Sequence, residues 1–238
     1  MRRALLAAVL VAALGVPAAA GTPRLSVYAA SSLTEVLPGI DGRARYSFGG
    51  SDTLALQIRQ GAPADVFASA SPRYTQDLYR RGLVERPRTF ARNRLVLIVP
   101  RSNPARIRSV FDLRRQGVRL VLAAASVPVG GYARQVLARL GLDGALRNVV
   151  SEEQDVKGVV GKVALGEADA GIVYATDVRQ VARKVKAIAL PARAQPSVRY
   201  EIAVVEASRH KAAARAFVAR VLGEVGRRHL AAAGFLLP

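Results

Sequence analysis

The sequence predicts an α/β protein of two lobes, each a mostly parallel sheet flanked by helices, with a ligand cleft between them. Three observations lead there. Short apolar runs alternate with helical stretches along the chain, the pattern of βα units and parallel sheets. Pro100 to Pro104 interrupts the alternation with a polar, proline-flanked segment directly after a strongly apolar run. The alternation then begins again. A chain that leaves one α/β unit, builds a second and returns makes two lobes, and ligands of such sheets sit at the carboxyl ends of the strands.

The elements follow in order. Residues 25–29 read as an apolar strand and 33–40 as a short helix. Residues 44–48 are a second strand, followed by a helix over about 53–60. A third strand covers 64–68, and the helix over 73–81 ends at Gly82, a residue suited to a helix C-terminus. The run Leu95-Val96-Leu97-Ile98-Val99 is apolar throughout and reads as a buried strand. The second unit has strands at 118–123, 149–150, 170–174 and 185–190. Its helices cover 131–140, 156–165 and 178–183. Residues 191–196 are loop, 200–205 form another apolar strand, 211–222 the last long helix, and 226–233 a further turn or two. Two crossings are expected, near Val99-Pro100 and near Val198 to Tyr200. The first lobe is then 24–99 plus 200–238, and the second 100–199.

The N-terminus reads as a secretion signal over residues 1–20. Arg2 and Arg3 precede an uncharged apolar run from Ala4 to Val16, too short to span a membrane. Ala18-Ala19-Ala20 has the small-residue cleavage pattern. Twin-arginine export lacks the rest of its pattern. The chain has no cysteine, which excludes disulfides, thiolate metal sites, cysteine nucleophiles and a lipidated cysteine. A soluble protein of a bacterial periplasm fits these features.

The formal net charge is +19, or +17 without Arg2 and Arg3. Such a balance raises the question of nucleic acid or acidic membranes. The arginines are spread thinly, however, with little aromatic interleaving, and no zinc-finger spacing or RNA-binding motif appears. We read them as a solvated basic surface, with no nucleic-acid partner.

The chemistry concentrates where strands turn into helices. Four junctions carry small or amide-donating residues: Ala29-Ala30-Ser31-Ser32, Gly49-Gly50-Ser51-Asp52, Pro128-Val129-Gly130-Gly131 and Gln154-Asp155-Val156-Lys157. A helix N-terminus offers free N–H groups and partial positive charge, so it suits an anion. Four such junctions without a catalytic constellation point to a protein that wraps one small anion in neutral donors. Serine also caps helices and tyrosine also fills cores, so from the residues alone Ser32, Ser51 and Tyr174 have structural readings too. His210 and His229 have no acidic partner at metal-ligand spacing and read as surface residues. Asp65 reads as a structural carboxylate, and Lys157 as a solvated helix position.

Taken in order, five segments carry a resemblance. They are Val27-Tyr28-Ala29-Ala30-Ser31-Ser32-Leu33-Thr34, Gly61 to Ala70 with its Pro63-Ala64-Asp65, Val127-Pro128-Val129-Gly130-Gly131-Tyr132-Ala133, Asp155-Val156-Lys157-Gly158 and Gly171-Ile172-Val173-Tyr174. Over residues 24–238 the chain resembles the periplasmic molybdate-binding proteins of bacterial ABC transporters, which have the type II periplasmic binding fold. The resemblance implies a tetrahedral oxyanion, molybdate or tungstate, held without counter-charges. It assigns hydroxyl and amide donors to Ser32 and Ser51, backbone amides to Val129 and Val156, and a hydroxyl to Tyr174. These residues would contact the oxygens of molybdate and not the metal itself. It also implies no cofactor, no enzymatic activity, a monomer, and a transient partner in an inner-membrane permease.

Four positions differ from the family pattern. The helix after Ser32 is about two turns shorter. Val129 stands where alanine is common and makes the wall bulkier. Asp52 follows Ser51 where a small polar residue is usual, and is expected to point outward. Gly130-Gly131 makes its turn pliant. The alternative reading within the binding class is a receptor for sulfate or another small oxyanion. Catalysis by Ser32 or Ser51 lacks an adjacent base and the Gly-x-Ser-x-Gly elbow.

Overall fold

A computed structural model describes residues 23–238. The signal-segment reading over 1–20 lies outside the described residues. In chain order the elements are β1 (Ser26–Ala30), α1 (Leu37–Ile40), β2 (Arg45–Gly49), α2 (Ser51–Arg59), β3 (Val66–Ser69), α3 (Pro72–Arg80) and β4 (Arg88–Asn93). There follow β5 (Leu95–Pro100), β6 (Leu120–Ala123), α4 (Pro128–Arg139), β7 (Val149–Glu153), α5 (Val156–Ala164), β8 (Ala170–Tyr174), α6 (Ala175–Val178) and β9 (Val185–Ala189). The last are β10 (Val198–Val204), α7 (Lys211–Leu222) and α8 (Glu224–Ala232).

Two five-stranded sheets result, ordered β2-β1-β3-β10-β4 and β7-β6-β8-β5-β9. In the first, β1, β2 and β3 pair parallel, while β10 runs antiparallel to β3 and β4. In the second, β6, β7 and β8 pair parallel, while β5 runs antiparallel to β8 and β9. Each sheet is therefore mostly parallel, with one opposed strand. That strand is the one by which the chain enters the sheet from its neighbour. Both sheets are flanked by helices, as the α/β reading expects.

The structure moves the first crossing. Residues 95–99 were expected in the first lobe, but β5 pairs with β8 and β9 in the second sheet. The chain crosses at Arg94. The reason is β4, a strand unmarked in the sequence because its residues are mostly polar and one residue separates it from β5. Gln195 ties the two crossings together: its Oε1 accepts from the Leu95 amide at 3.0 Å and its Nε2 donates to the Leu95 carbonyl at 2.8 Å. Beyond β10, α7 packs on β10 and α8 on α7 and α1, and Leu236 exchanges backbone hydrogen bonds with Arg92 of β4.

The helix expected over 33–40 is two pieces, a 3₁₀ turn at Ser31–Leu33 and the single turn α1. Pro38 and Gly39 explain the break, since neither supports a continuous helix. The Tyr46 hydroxyl closes the segment by donating to the carbonyls of Leu37 and Asp41. Asp65 lies at the end of the sheet away from the cleft, accepting from the Ser26 amide and the Ser208 hydroxyl. Its role is structural.

Candidate functional site

The carboxyl ends of six parallel strands converge on one small cavity, part of it open to solvent. From the first sheet, Ser32 follows β1, Ser51 follows β2 and Ala70 follows β3. From the second, Val129 follows β6, Val156 follows β7, and Tyr174 ends β8. All six residues line the cavity, including the five assigned from the sequence. Its enclosed volume, about 10 Å³, is about that of one water-sized sphere, so the space suits one small ion and not a sugar phosphate.

Each junction leaves donors free for a local reason. The N-caps of α2 and α4 are Gly50 and Val127, which offer no side-chain cap. The first-turn amides of these helices, which helical bonding leaves unpaired, stay available. Pro128 is the first residue of α4 and has no N–H, so Val129 carries the first free amide. In α5 the N-cap is Asp155, whose Oδ1 accepts from the Gly158 amide at 3.1 Å and leaves the Val156 amide unclaimed. Asp155 is thus a carboxylate on the cavity wall that is turned to its own helix. The first junction is a single 3₁₀ turn and not the helix the sequence suggested.

Neither serine is an N-cap. Ser51 is the first residue of α2 and is 1% exposed. Its Oγ accepts from the Ala70 amide at 3.1 Å, so its own proton is free to be donated. Ser32 Oγ lies 2.9 Å from the Tyr200 hydroxyl, which Asn93 Nδ2 approaches at 3.5 Å. Asn93 can only donate from that nitrogen. When Tyr200, accepting from Asn93, in turn donates to Ser32, the Ser32 proton is left to point onward. Asn93 also donates to Thr176 Oγ1 at 2.9 Å, which links the first sheet to the second.

Tyr174 is buried, and among the described residues its hydroxyl has no hydrogen-bond partner. Burial, and then the nearby Tyr200 hydroxyl, push its pKa well up, so it stays protonated. Tyr200 acts on Tyr174 by proximity alone, because its own hydroxyl is engaged with Ser32 and Asn93. An orphaned buried hydroxyl costs about 1–3 kcal/mol unless something accepts from it, and the donor set around it implies an anionic acceptor.

Gly130 is not a source of pliancy. A Cβ there would lie 2.1 Å from the Ala124 carbonyl oxygen and 2.3 Å from that of Ala123. The glycine lets the start of α4 pack onto the end of β6, which fixes the Val129 amide. The Val129 side chain is buried, 1% exposed.

Asp177 stands behind the site. It is 2% exposed, with Lys157 Nζ 3.4 Å from its Oδ1. Burial pushes its pKa up to about 6 despite the opposing pull of Lys157. A carboxyl group with a raised folded-state pKa stabilises the fold when protonated. That stability is lost as pH rises from the ordinary carboxylate range through about 6. Asp177→Asn should remove a loss of about 2 kcal/mol between pH 4 and 7. Chemical denaturation of both chains across that range checks it; parallel pH profiles would exclude Asp177 as the source.

Sequence reasoning missed Tyr200, Asn93 and Asp177. Tyr200 and Asn93 lie on strands where an apolar or unmarked position gave no signal, and their meaning comes from pairing across more than a hundred residues. Among the described residues, no group of three or more His, Asp or Glu could hold a metal ion.

Two α/β lobes, with uncapped helix starts and neutral hydroxyls meeting in one small cleft, define a two-lobed solute-binding protein. Comparison with known proteins agrees. Residues 19–236 match the family described as bacterial extracellular solute-binding protein. The chain is 38% identical to the molybdate-binding protein ModA of Mycobacterium tuberculosis, over 92% of this chain and 86% of that one. It is 31% identical to the protein of that name from Haemophilus influenzae, over 96% and 95%. The periplasmic molybdate-binding protein of Azotobacter vinelandii superposes with a TM-score of 0.81 at 26% identity, covering 90% of this chain and all of that one. The chain belongs to the bacterial extracellular solute-binding proteins, within the group of ModA-like periplasmic proteins.

Proposed function

We propose that the chain is the periplasmic binding component of an ABC transporter. It captures molybdate, with tungstate as an equivalent ligand, and delivers it to a membrane permease. Ser32, Ser51 and Tyr174 donate hydroxyl protons, and Val129 and Val156 donate backbone amides. The observation that carries this reading is the protonated, buried, unpartnered hydroxyl of Tyr174 on a wall of uncapped helix starts. The names of the relatives support the same ligand.

The donor set also explains the selection. Molybdate, tungstate and sulfate are fully deprotonated at neutral pH and accept at every oxygen. Hydrogen phosphate brings a proton that, among the five proposed donors, only a hydroxyl could accept, and that hydroxyl would then lose its own bond to the ion, at a cost of about 1–3 kcal/mol. Sulfate is smaller, so its exclusion rests on the fit of the cavity. Closure of the lobes around the ligand provides the signal for the permease.

Thermal unfolding with each oxyanion at equal concentration tests the proposal. Molybdate and tungstate should stabilise the chain, by about 2.7 kcal/mol at a hundred times the dissociation constant. Tyr174→Phe should reduce that stabilisation by weakening binding about tenfold, as for one hydrogen bond to an anion. A shift with sulfate of equal size would convert the assignment to a general oxyanion receptor. No shift with any oxyanion would overturn it.

A further inference from the structure

The two lobes touch at the mouth of the cleft, and the contact is made by residues beside the donors. Asp52 is in the first turn of α2, next to Ser51. Its Oδ2 accepts from the Ser126 hydroxyl at 2.7 Å. Ser126 lies in the loop between β6 and α4, three residues before Val129. Its carbonyl oxygen also accepts from the hydroxyl of Tyr74, on α3 of the first lobe. Asp52 is not among the residues lining the cavity; its carboxylate reaches across to the other lobe, and among the described residues its Oδ1 is buried without a partner.

We propose that Asp52 and Ser126 are positioning residues that latch the closed cleft, holding the Ser51 turn of one lobe against the Val129 turn of the other. The pair touches no ligand atom in this role. It acts through the two turns that carry donors, by adding a contact that exists only while the lobes are together. A ligand is released when the lobes part, so the latch governs dissociation more than encounter. A carboxylate beside a bound dianion would by itself weaken binding through Coulomb repulsion. The N-terminus of α2 and the Ser126 hydroxyl are what offset it at this position. This inference rests on the oxyanion reading for its kinetics, but not for the interlobe contact.

Three variants separate latch from charge. Ser126→Ala removes the donor, Asp52→Ala removes the acceptor and the charge, and Asp52→Asn keeps an acceptor without the charge. In stopped-flow exchange, Ser126→Ala and Asp52→Ala should speed molybdate release roughly five- to tenfold, the ratio that the loss of one hydrogen bond gives. Association should stay nearly unchanged. Asp52→Asn should release molybdate no faster than the unmodified chain. Release unchanged in Ser126→Ala, or slowed in both Asp52 variants alike, would overturn the latch.

A readout without ligand makes the two readings independent. The chain has no cysteine, so Leu56→Cys on α2 and Leu165→Cys just beyond α5 give one labelling site on each lobe. Interlobe distances from paired spin labels should lengthen in Ser126→Ala and Asp52→Ala, and not in Asp52→Asn. If the unmodified chain binds no molybdate, the ligand assignment fails, and these distances alone decide the latch. An identical distance distribution in all variants would sink it.

Discussion

Replacing Ser32 and Ser51 together by alanine should weaken molybdate binding by a factor of about 10² to 10⁴, to the edge of detection. Each hydroxyl bond to an anion is worth about 1.5–3 kcal/mol, and every 1.4 kcal/mol is tenfold. The structure raises the cost beyond the two lost donors. Ser51 Oγ accepts the buried Ala70 amide, which alanine leaves without a partner at the cavity wall. Ser32 Oγ is the partner of the Tyr200 hydroxyl, so its removal also frees the chain that Asn93 anchors. Both serines belong to the first lobe, and the Val129, Val156 and Tyr174 donors stay intact. Calorimetric titration suits a chain without tryptophan. Affinity within tenfold of the unmodified chain, in a double variant with normal unfolding, would remove the serines from the site.

The α/β class, the two-lobed plan and the four strand-to-helix junctions were legible because they depend on local pattern, whereas the five particular donors came from the family resemblance. Short apolar runs mark strands, and small residues at a strand-to-helix junction mark an exposed helix start. What failed depends on partners distant in sequence. The strand β4 was invisible because Phe90 and Ala91 are buried among polar neighbours, and because one residue separates it from a strand in the other sheet. The repeat of topology between the sheets left no trace in the sequence, since order and direction of pairing do not constrain residue identity. The partner of Asp52 was invisible for the same reason. From its own helix, an N-terminal carboxylate is satisfied by the dipole; its partner Ser126 is 74 positions away. Gly130 looked like a flexible turn, whereas the carbonyls of Ala123 and Ala124 leave no room for a side chain.

The second large effect is expected at Gly50, where the requirement for glycine comes from the other lobe. Gly50 is the N-cap of α2, in an extended backbone conformation that alanine also adopts. A methyl group there would lie 2.6 Å from Asp52 Oδ1 and 2.6 Å from the carbonyl oxygen of Gln154. The Asp52 oxygen ends a side chain that can turn aside. The Gln154 oxygen is backbone, fixed between β7 and the N-cap of α5, so relief requires the lobes to separate. Separation withdraws Val129, Val156 and Tyr174 from an anion that Ser32 and Ser51 still hold. Three donors at about 1 kcal/mol or more each predict at least a hundredfold loss of affinity. The ligand-free chain should unfold almost normally, because the clash exists only in the closed state. Gly130→Ala provides the contrast. Its clash at 2.1 Å lies within one lobe, so it should destabilise the fold itself, ligand or no ligand. Gly50→Ala with unchanged affinity would mean that the anion is held without the approach of Gly50 to Gln154. The donors of the second lobe would then have to reach the anion from a more open cleft, and closure would lose its role as the step that completes the site.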